Sequence, residues 1–244
     1  SETDLRFRNL GGRTVQKRAV RADSGTLTTE VRLTDVSHSG APADGGSRKW
    51  LTALCVNVGM INITMEGGIS TIMAPALVEA FSSDISTVVW FSVVFMVTTT
   101  GLMFTLGWLG DALGRRRMYL VGFVVFTLSL TLIAVAQNLV QLYIIRVLHG
   151  IGIAILVSNG LALIAAAFPK RERGRALGLM VSMTGVGFVL GPLLGGLLLE
   201  HMDWRAVYWA RIPVGVLGFI LAARFLPEQR SMLPGPLRVD YLGI

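Results

Sequence analysis

The sequence predicts an all-α membrane protein in which six transmembrane helices form one bundle. It is 52% hydrophobic and only 15% charged, whereas a soluble domain carries about 25% charged residues. The charges cluster in short stretches, and the stretches between them run for about 20 residues or more, enough to cross a bilayer core as a helix. A barrel strand would need only about ten alternating residues, so helices are expected. A soluble fold of this length could not cover so much apolar surface, which excludes an ordinary cytosolic enzyme.

Three regions follow from the distribution of apolar residues. Residues 1–49 are polar, mixed in charge and without a sustained apolar period, so we expect a mostly disordered cytoplasmic tail. Residues 50–226 form the bundle. Residues 227–244 are predicted to be a cytoplasmic connector toward a missing second half, because a new apolar run begins at Tyr241. The six apolar segments lie near 51–79, 87–109, 117–136, 140–168, 175–199 and 205–226.

Lysine and arginine residues indicate the orientation. They concentrate in the tail and after the second, fourth and sixth helices, and cytoplasmic loops carry an excess of these residues. We therefore expect a multi-pass protein of the plasma membrane with both termini in the cytoplasm. The net charge of +7 follows this topology and forms no single patch, so no nucleic-acid partner is expected.

The first helix carries a carboxyl, Glu66, far from either end. Burial favours the neutral form of an isolated carboxyl, and a neighbouring arginine favours the ionised form. A group subject to both effects can load and release a proton near neutral pH, so Glu66 is a candidate for proton coupling. The alternative is a structural glutamate that stays neutral or locked to an arginine. Asn62, one turn earlier, is expected in the substrate cavity; the glycosylation sequon that it begins lies inside a helix and is disregarded.

A tight basic turn joins the second and third helices over residues 107–117, which read GWLGDALGRRR. Glycines let such a turn bend and let helices approach, and Asp111 can accept hydrogen bonds from arginine or from a helix N-terminus. The alternative is a turn whose positive charge merely fixes topology. The gating candidates are Gly107, Asp111, Gly114, Arg115 and Arg116.

The fourth helix contains Arg146, roughly two turns from its outer end. An intramembrane arginine costs several kcal/mol unless it is paired, which makes it a functional candidate; the alternative is snorkelling to the outer headgroups. Glu66 and Arg146 fall at similar depths, so we predict that they can pair. His149 is a candidate residue of the substrate cavity, where we expect it to pack or form hydrogen bonds rather than to relay protons.

The fifth helix presents small residues at regular spacing. Gly187, Gly191 and Gly195 lie four residues apart, and such a face lets another helix pack closely. Pro192 removes one backbone hydrogen bond and can kink the helix. Ordinary helix packing is the alternative explanation of the pattern. The candidate residues of this helix are Gly178, Gly187, Gly191, Pro192, Gly195 and Gly196.

The sixth helix carries Arg211, a second intramembrane cation. It can line the cavity or snorkel outward, and the sequence leaves both open. Across the chain, no metal-ligand spacing, phosphate-cradling loop or Ser/His/Asp arrangement rises above chance. We therefore expect no catalytic residues, no metal and no cofactor.

Taken in order, these motifs resemble the major facilitator superfamily, and within it the 14-helix branch of the drug:proton antiporters. Residues 107–117 resemble the family signature between helices two and three, and residues 178–196 resemble the antiporter signature of the fifth helix. Residues 142–152 are similar to the fourth-helix motif, whose arginine is implicated in proton coupling. Residues 204–215 are similar to the sixth helix of the branch, and Glu66 falls where the branch usually has Asp.

The resemblance implies the N-terminal six-helix bundle of a larger fold. The family has 12 or 14 helices, and two halves rock around a midplane site. We therefore expect a missing C-terminal half, or a second copy, as partner. The implied function is proton-coupled efflux of amphipathic organic compounds or drugs, in which a proton on Glu66 weakens its pairing with Arg146.

Three departures from the family pattern keep alternatives open. Ala112 replaces a usual basic residue, which weakens the expected gate, and His149 replaces a usual Gln. Arg211 replaces a usual Asn and adds positive charge to the cavity, which argues against a preference for cationic drugs. The alternatives are an importer or exporter of a metabolite or organic anion, and a half-transporter that does not transport.

Overall fold

The computed structural model describes residues 5–8, 14–21, 27–34 and 45–227. The chain divides into two compact units, Ser1–Gly45 and Gly46–Ile244.

The first unit contains a small antiparallel sheet. Strands β1 (Leu5–Arg8), β2 (Thr14–Arg21) and β3 (Leu27–Thr34) pair in chain order. The register places Thr14 opposite Thr34. The sequence predicts a mostly disordered tail over residues 1–49, whereas the described residues of this region before Gly45 form strands. The physical reason is local: each strand pairs with its neighbour in sequence, and β3 reads LTTEVRLT, which is rich in the β-branched residues that strands favour.

The second unit confirms the predicted six-helix bundle. From Gly45 onward, the described residues form α1 (Gly45–Phe81), α2 (Ile85–Leu113), α3 (Arg115–Val135), α4 (Leu139–Ala167), α5 (Lys170–His201) and α6 (Arg205–Phe225). All six are long and apolar enough to cross a membrane.

Two helices begin about five residues or more before the apolar segments that predicted them. Helix α1 begins at Gly45, inside the region predicted as tail, and α5 begins at Lys170 rather than at 175. Apolar length marks only the part of a helix that fits the hydrocarbon core. Lysine, arginine and glutamate are good helix formers outside it, so the charged residues continue the helix.

The connection between α2 and α3 is a single residue. Gly114 has φ 101°, a left-handed conformation that glycine adopts without the steric cost of a Cβ. Its backbone N–H donates to the carbonyl of Gly110 and so ends α2. A tight turn is predicted at this point from the sequence, and the chain reverses there in one residue.

Apolar side chains fill the bundle interior and also cover part of its outside. Ile69, Phe123 and Leu156 are fully buried between helices. In contrast, Phe104 of α2 is 86% exposed, and Val181 of α5 is 71% exposed. Exposed apolar surface of this extent marks contact with lipid or with another protein.

Candidate functional site

The centre of the bundle holds a carboxylate between two guanidinium groups. Glu66 of α1 and Arg146 of α4 are both 0% exposed, and Arg211 of α6 is 2% exposed. Nη1 of Arg146 donates to Oε1 of Glu66 at 2.5 Å. Nη1 of Arg211 donates to the other carboxylate oxygen, Oε2. Three helices distant in sequence therefore meet at one carboxyl group.

The charges of this cluster do not cancel. Two guanidinium groups carry +2 and one carboxylate carries −1, so the cluster is left with +1 when His149 is neutral. Buried charges are costly unless they are paired and hydrogen-bonded. Protonation of Glu66 would leave two guanidinium groups facing a neutral carboxyl, which weakens the attraction that joins α1 to α4 and α6.

Arg211 is held to α1 by Asn62 as well as by Glu66. Its Nε donates to Oδ1 of Asn62 at 3.2 Å, and its Nη2 donates to the Asn62 carbonyl at 2.7 Å. In return, Nδ2 of Asn62 donates to the Arg211 carbonyl at 3.3 Å. The side chain of Arg211 thus points into the bundle and does not snorkel to the outer surface. Asn62 is brought to the same cluster, where it orients this arginine.

His149 completes the cluster on the α4 side. Its Nδ1 lies 2.7 Å from Oγ of Ser129, and its Nε2 lies 3.4 Å from Oε2 of Glu66. The ring stacks on Phe126, with 5.2 Å between ring centres. His149 therefore packs and forms a hydrogen bond, and its imidazole lies beside the Glu66 carboxyl. Both arginines still contact that carboxyl directly.

Two aromatic residues of the cluster escaped the sequence analysis. The guanidinium of Arg146 lies 3.4 Å from the ring centre of Phe91, a cation–π contact. Its Nη2 also lies 3.4 Å from Oη of Tyr208. Tyr208 precedes Arg211 by three residues and therefore shares its helix face, so spacing could have identified it. Phe91 carries no such signal, because only the packing of α2 against α4 brings it under Arg146.

The gating candidates lie at one end of the bundle. Nε of Arg115 donates to Asp111 at 2.6 Å across the α2–α3 turn, and Nη1 donates to the Ala162 carbonyl of α4 at 3.2 Å. Nη2 of Arg116 donates to the Ala223 carbonyl of α6 at 2.7 Å. These bonds connect the turn to two other helices. Gly107 faces Ser158 of α4, so the candidates of this motif form one structural group distant from Glu66.

Part of the small-residue pattern of α5 lies directly against α1. A Cβ on Gly187 would lie 2.5 Å from the Ile61 carbonyl oxygen, and a Cβ on Gly191 would clash with the Met65 carbonyl. The two backbones touch here because glycine has no side chain. Gly195 lies against Ile72 further along the same face. Ile61 and Met65 both lie within about five residues of Glu66, so the helix-packing face of α5 lies beside the charged cluster.

The remaining residues of the pattern have different surroundings. Pro192 packs its ring over Gly68 of α1. Open space surrounds the positions where a Cβ would be added at Gly178 and Gly196. The structure therefore brings four of the six predicted residues to α1 and leaves two away from that contact. Over residues 45–227, no group of three His, Cys, Asp or Glu side chains could hold a metal ion.

Comparison with known proteins gives matches along most of the chain. A family model described as Major Facilitator Superfamily matches residues 55–239. The riboflavin transporter RibZ of Clostridioides difficile is 33% identical over 181 residues, which cover 74% of this chain and 40% of that protein. The tetracenomycin C resistance and export protein of Streptomyces glaucescens is 29% identical over 219 residues, covering 89% and 40%. The multidrug transporter protein MdtP of Bacillus subtilis is 29% identical over 198 residues, covering 81% and 36%.

Among solved structures, the human organic anion transporter MFSD10 has the same fold. Its TM-score is 0.64 at 18% identity, covering 74% of this chain and 48% of that one. The chain spans about two-fifths of the length of the curated relatives it matches.

Proposed function

The chain belongs to the Major Facilitator Superfamily, and from this premise we propose that it forms one half of a proton-coupled exporter of amphipathic organic compounds. The observation that carries the proposal is the buried Glu66–Arg146 pair. A carboxyl and a guanidinium inside a transmembrane bundle are expensive to maintain, and such residues typically mark proton or substrate pathways. Among the relatives, the tetracenomycin C resistance and export protein and the multidrug transporter protein MdtP support the same substrate class.

The proposed cycle uses Glu66 as the proton acceptor. A proton from outside neutralises the carboxylate and weakens its hydrogen bonds to Arg146 and Arg211. The helices then favour a second arrangement, with the glycine face of α5 providing the surface along which α1 shifts. Release of the proton to the inside is linked to substrate exit. Because two arginines hold Glu66, protonation loosens two interhelical contacts at once.

Alternating access needs a second bundle. The exposed apolar side chains of α2 and α5, such as Phe104 and Val181, offer surface for it, and the relatives are more than twice as long as their matched part. We propose that a C-terminal half or a second copy of this bundle packs there. We place the assembly in the plasma membrane with both termini in the cytoplasm, on the distribution of lysine and arginine.

Export or import of an organic anion is the second candidate. It is favoured by the charge of the cluster, in which two guanidinium groups share one carboxylate. In addition, Nε of Arg146 is buried and has no hydrogen-bond partner among the described residues. An anionic substrate group that approached this cluster would balance the extra positive charge. A scaffold without transport activity is disfavoured, because charges buried in a membrane bundle cost free energy and would then serve no function.

Transport by the complete protein in proteoliposomes tests the proposal. A pH gradient is imposed, and movement of ethidium, an amphipathic cation, is compared with movement of fluorescein, an organic anion. Glu66→Gln should abolish gradient-driven transport while membrane insertion is retained. Glu200→Gln, at the exposed end of α5, is the matched control and should transport normally. Unchanged transport by Glu66→Gln would refute proton coupling at this residue.

The substrate class is tested separately with Arg211→Asn. If the protein carries organic anions, this variant should lose fluorescein transport and gain relative preference for ethidium. If it exports cations, ethidium transport should be retained or increased. Unchanged transport of both compounds by Arg211→Asn, together with normal transport by Glu66→Gln, would argue against a role for the charged cluster in either candidate.

A further inference from the structure

A groove with an apolar lining runs along the outside of the bundle between α3 and α6. Its volume is about 260 Å³, far above the roughly 10–15 Å³ that a single water needs by the same measure. The exposed side chains of Val124, Leu128 and Val216 form its rim. Its floor is made by Phe123, Thr127 and Phe219.

The two helices cannot close this groove by moving together. Gly215 and Gly218 already place α6 against Thr127 and Phe123, where an added Cβ would lie 2.7 Å and 2.6 Å from side-chain atoms. Arg116 donates to the Ala223 carbonyl near one end of the pair, and Nη2 of Arg205 donates to the Ala136 carbonyl at 2.9 Å near the other. The helices are thus joined at the middle and near both ends. Since the groove opens toward the bilayer, hydrocarbon must fill it.

Two exposed arginines lie beyond one end of the groove, about six and five residues from its nearest lining residues, Phe123 and Phe219. Arg117 and Arg224 are exposed at the end of α3 and α6 where Arg116 meets Ala223. Within residues 48–227 neither side chain has a hydrogen-bond or ion-pair partner. Arg117 precedes Val124 by seven residues and therefore lies on the same face of α3.

The spacing matches one phospholipid. Val124 lies about 10 Å below Arg117 along the helix axis, and Val216 lies about 12 Å from Arg224. One leaflet contributes about 15 Å of hydrocarbon. A phosphate bound by the two arginines would therefore place its acyl chain along the groove. Basic pockets between transmembrane helices select anionic headgroups.

We propose that this groove binds an anionic phospholipid, with its phosphate on Arg117 and Arg224 and one acyl chain between α3 and α6. The lipid bridges the two helices. This site is independent of Glu66 and of the substrate.

Native mass spectrometry of the full chain in detergent tests the site. Phosphatidylglycerol and phosphatidylcholine with identical acyl chains are compared, and phosphatidylglycerol should bind more tightly. Each arginine is expected to contribute about fivefold, so Arg117→Gln with Arg224→Gln should reduce the preference about 25-fold. Lys170→Gln with Arg171→Gln removes the same charge from exposed positions at the start of α5 and should leave the preference unchanged.

The groove itself is tested by filling it. Val216→Phe should weaken binding of both lipids, whereas Val181→Phe, on exposed α5 surface, should not. Equal binding of the two lipids by the unmodified chain would overturn the proposal. So would an equal effect of the two charge-removing pairs, or unchanged lipid binding in Val216→Phe.

Discussion

Arg211 of α6 donates a hydrogen bond to Glu66 of α1 across 145 residues of sequence, on the carboxylate oxygen that Arg146 does not contact. This bond converts a simple ion pair into a cluster with one excess positive charge. The stability of the bundle and the response of Glu66 to a proton consequently depend on both arginines. Removing one partner of a buried pair costs about 3–5 kcal/mol, because the other charge is left uncompensated.

This arrangement predicts strong coupling between Glu66 and Arg211. Glu66→Gln leaves two buried cations and should lower the free energy of unfolding by about 3–5 kcal/mol. Arg211→Asn leaves the Glu66–Arg146 pair intact and should cost less. The double variant leaves one buried cation without a carboxylate partner, whereas Glu66→Gln leaves two. Its loss of stability should therefore be less than the sum of the two single losses. Thermal unfolding in detergent measures the cycle, and additive losses would show that the two groups do not interact.

The contact between α5 and α1 predicts different outcomes for two neighbouring glycines. Gly191→Ala places a methyl group against the Met65 carbonyl and should destabilise the bundle by about 1–3 kcal/mol, the usual cost of overpacking. Gly196→Ala meets open space and should be neutral or stabilising, because alanine has the higher helix propensity. Chemical or thermal unfolding compares them. Equal effects would mean that α5 does not touch α1 at Gly191.

The single-residue turn between α2 and α3 predicts a conformational cost. Gly114 has φ 101°, so Gly114→Ala should destabilise the turn by about 1–2 kcal/mol. Gly174→Ala, at an open position inside α5, provides the control and should not destabilise. Hydrogen exchange at the start of α3 reports the local effect. Protection equal to that of the unmodified chain would contradict the turn geometry.

The loop between α1 and α2 predicts a pH-dependent contact outside the membrane-spanning segments. Hydrogen bonds from Ser86 and then Thr87 lower the pKa of Asp84 from 3.8 to about 2. A carboxyl with a lowered pKa stabilises the folded state above its ordinary pKa, and this contribution is lost as pH falls from about 4 through 2. Ser86→Ala should raise the pKa of Asp84 toward 3.8, as followed by NMR titration of the labelled carboxyl. The control is Val89→Ala, because neither valine nor alanine has a hydroxyl that could donate to Asp84. This variant should leave the pKa of Asp84 at about 2.

Several features of this protein are determined by local sequence. Apolar length places the six helices, and the spacing of Gly187, Gly191 and Gly195 indicates a packing face, because both properties depend on residues close together in the chain. The similar depth of Glu66 and Arg146 follows from counting residues at a constant rise. The same counting placed the starts of α1 and α5 too late, because their first residues, which include charged ones, lie outside the apolar segments. It also could not foresee the strands of the N-terminal unit, where the polarity of the segment masked its β-branched residues.

Only the tertiary structure decided which side chains meet. From sequence, Arg211 was equally compatible with the cavity and with the outer surface. In the folded protein α6 lies beside α1, and the buried guanidinium of Arg211 contacts Asn62 and Glu66. Phe91 had no distinguishing pattern until α2 packed on α4. The rotation of each helix about its axis, and the choice of its neighbours, result from many weak contacts summed over the whole bundle. No short stretch of sequence contains that sum, which is why the charged cluster and the α3–α6 groove emerge only from the folded protein.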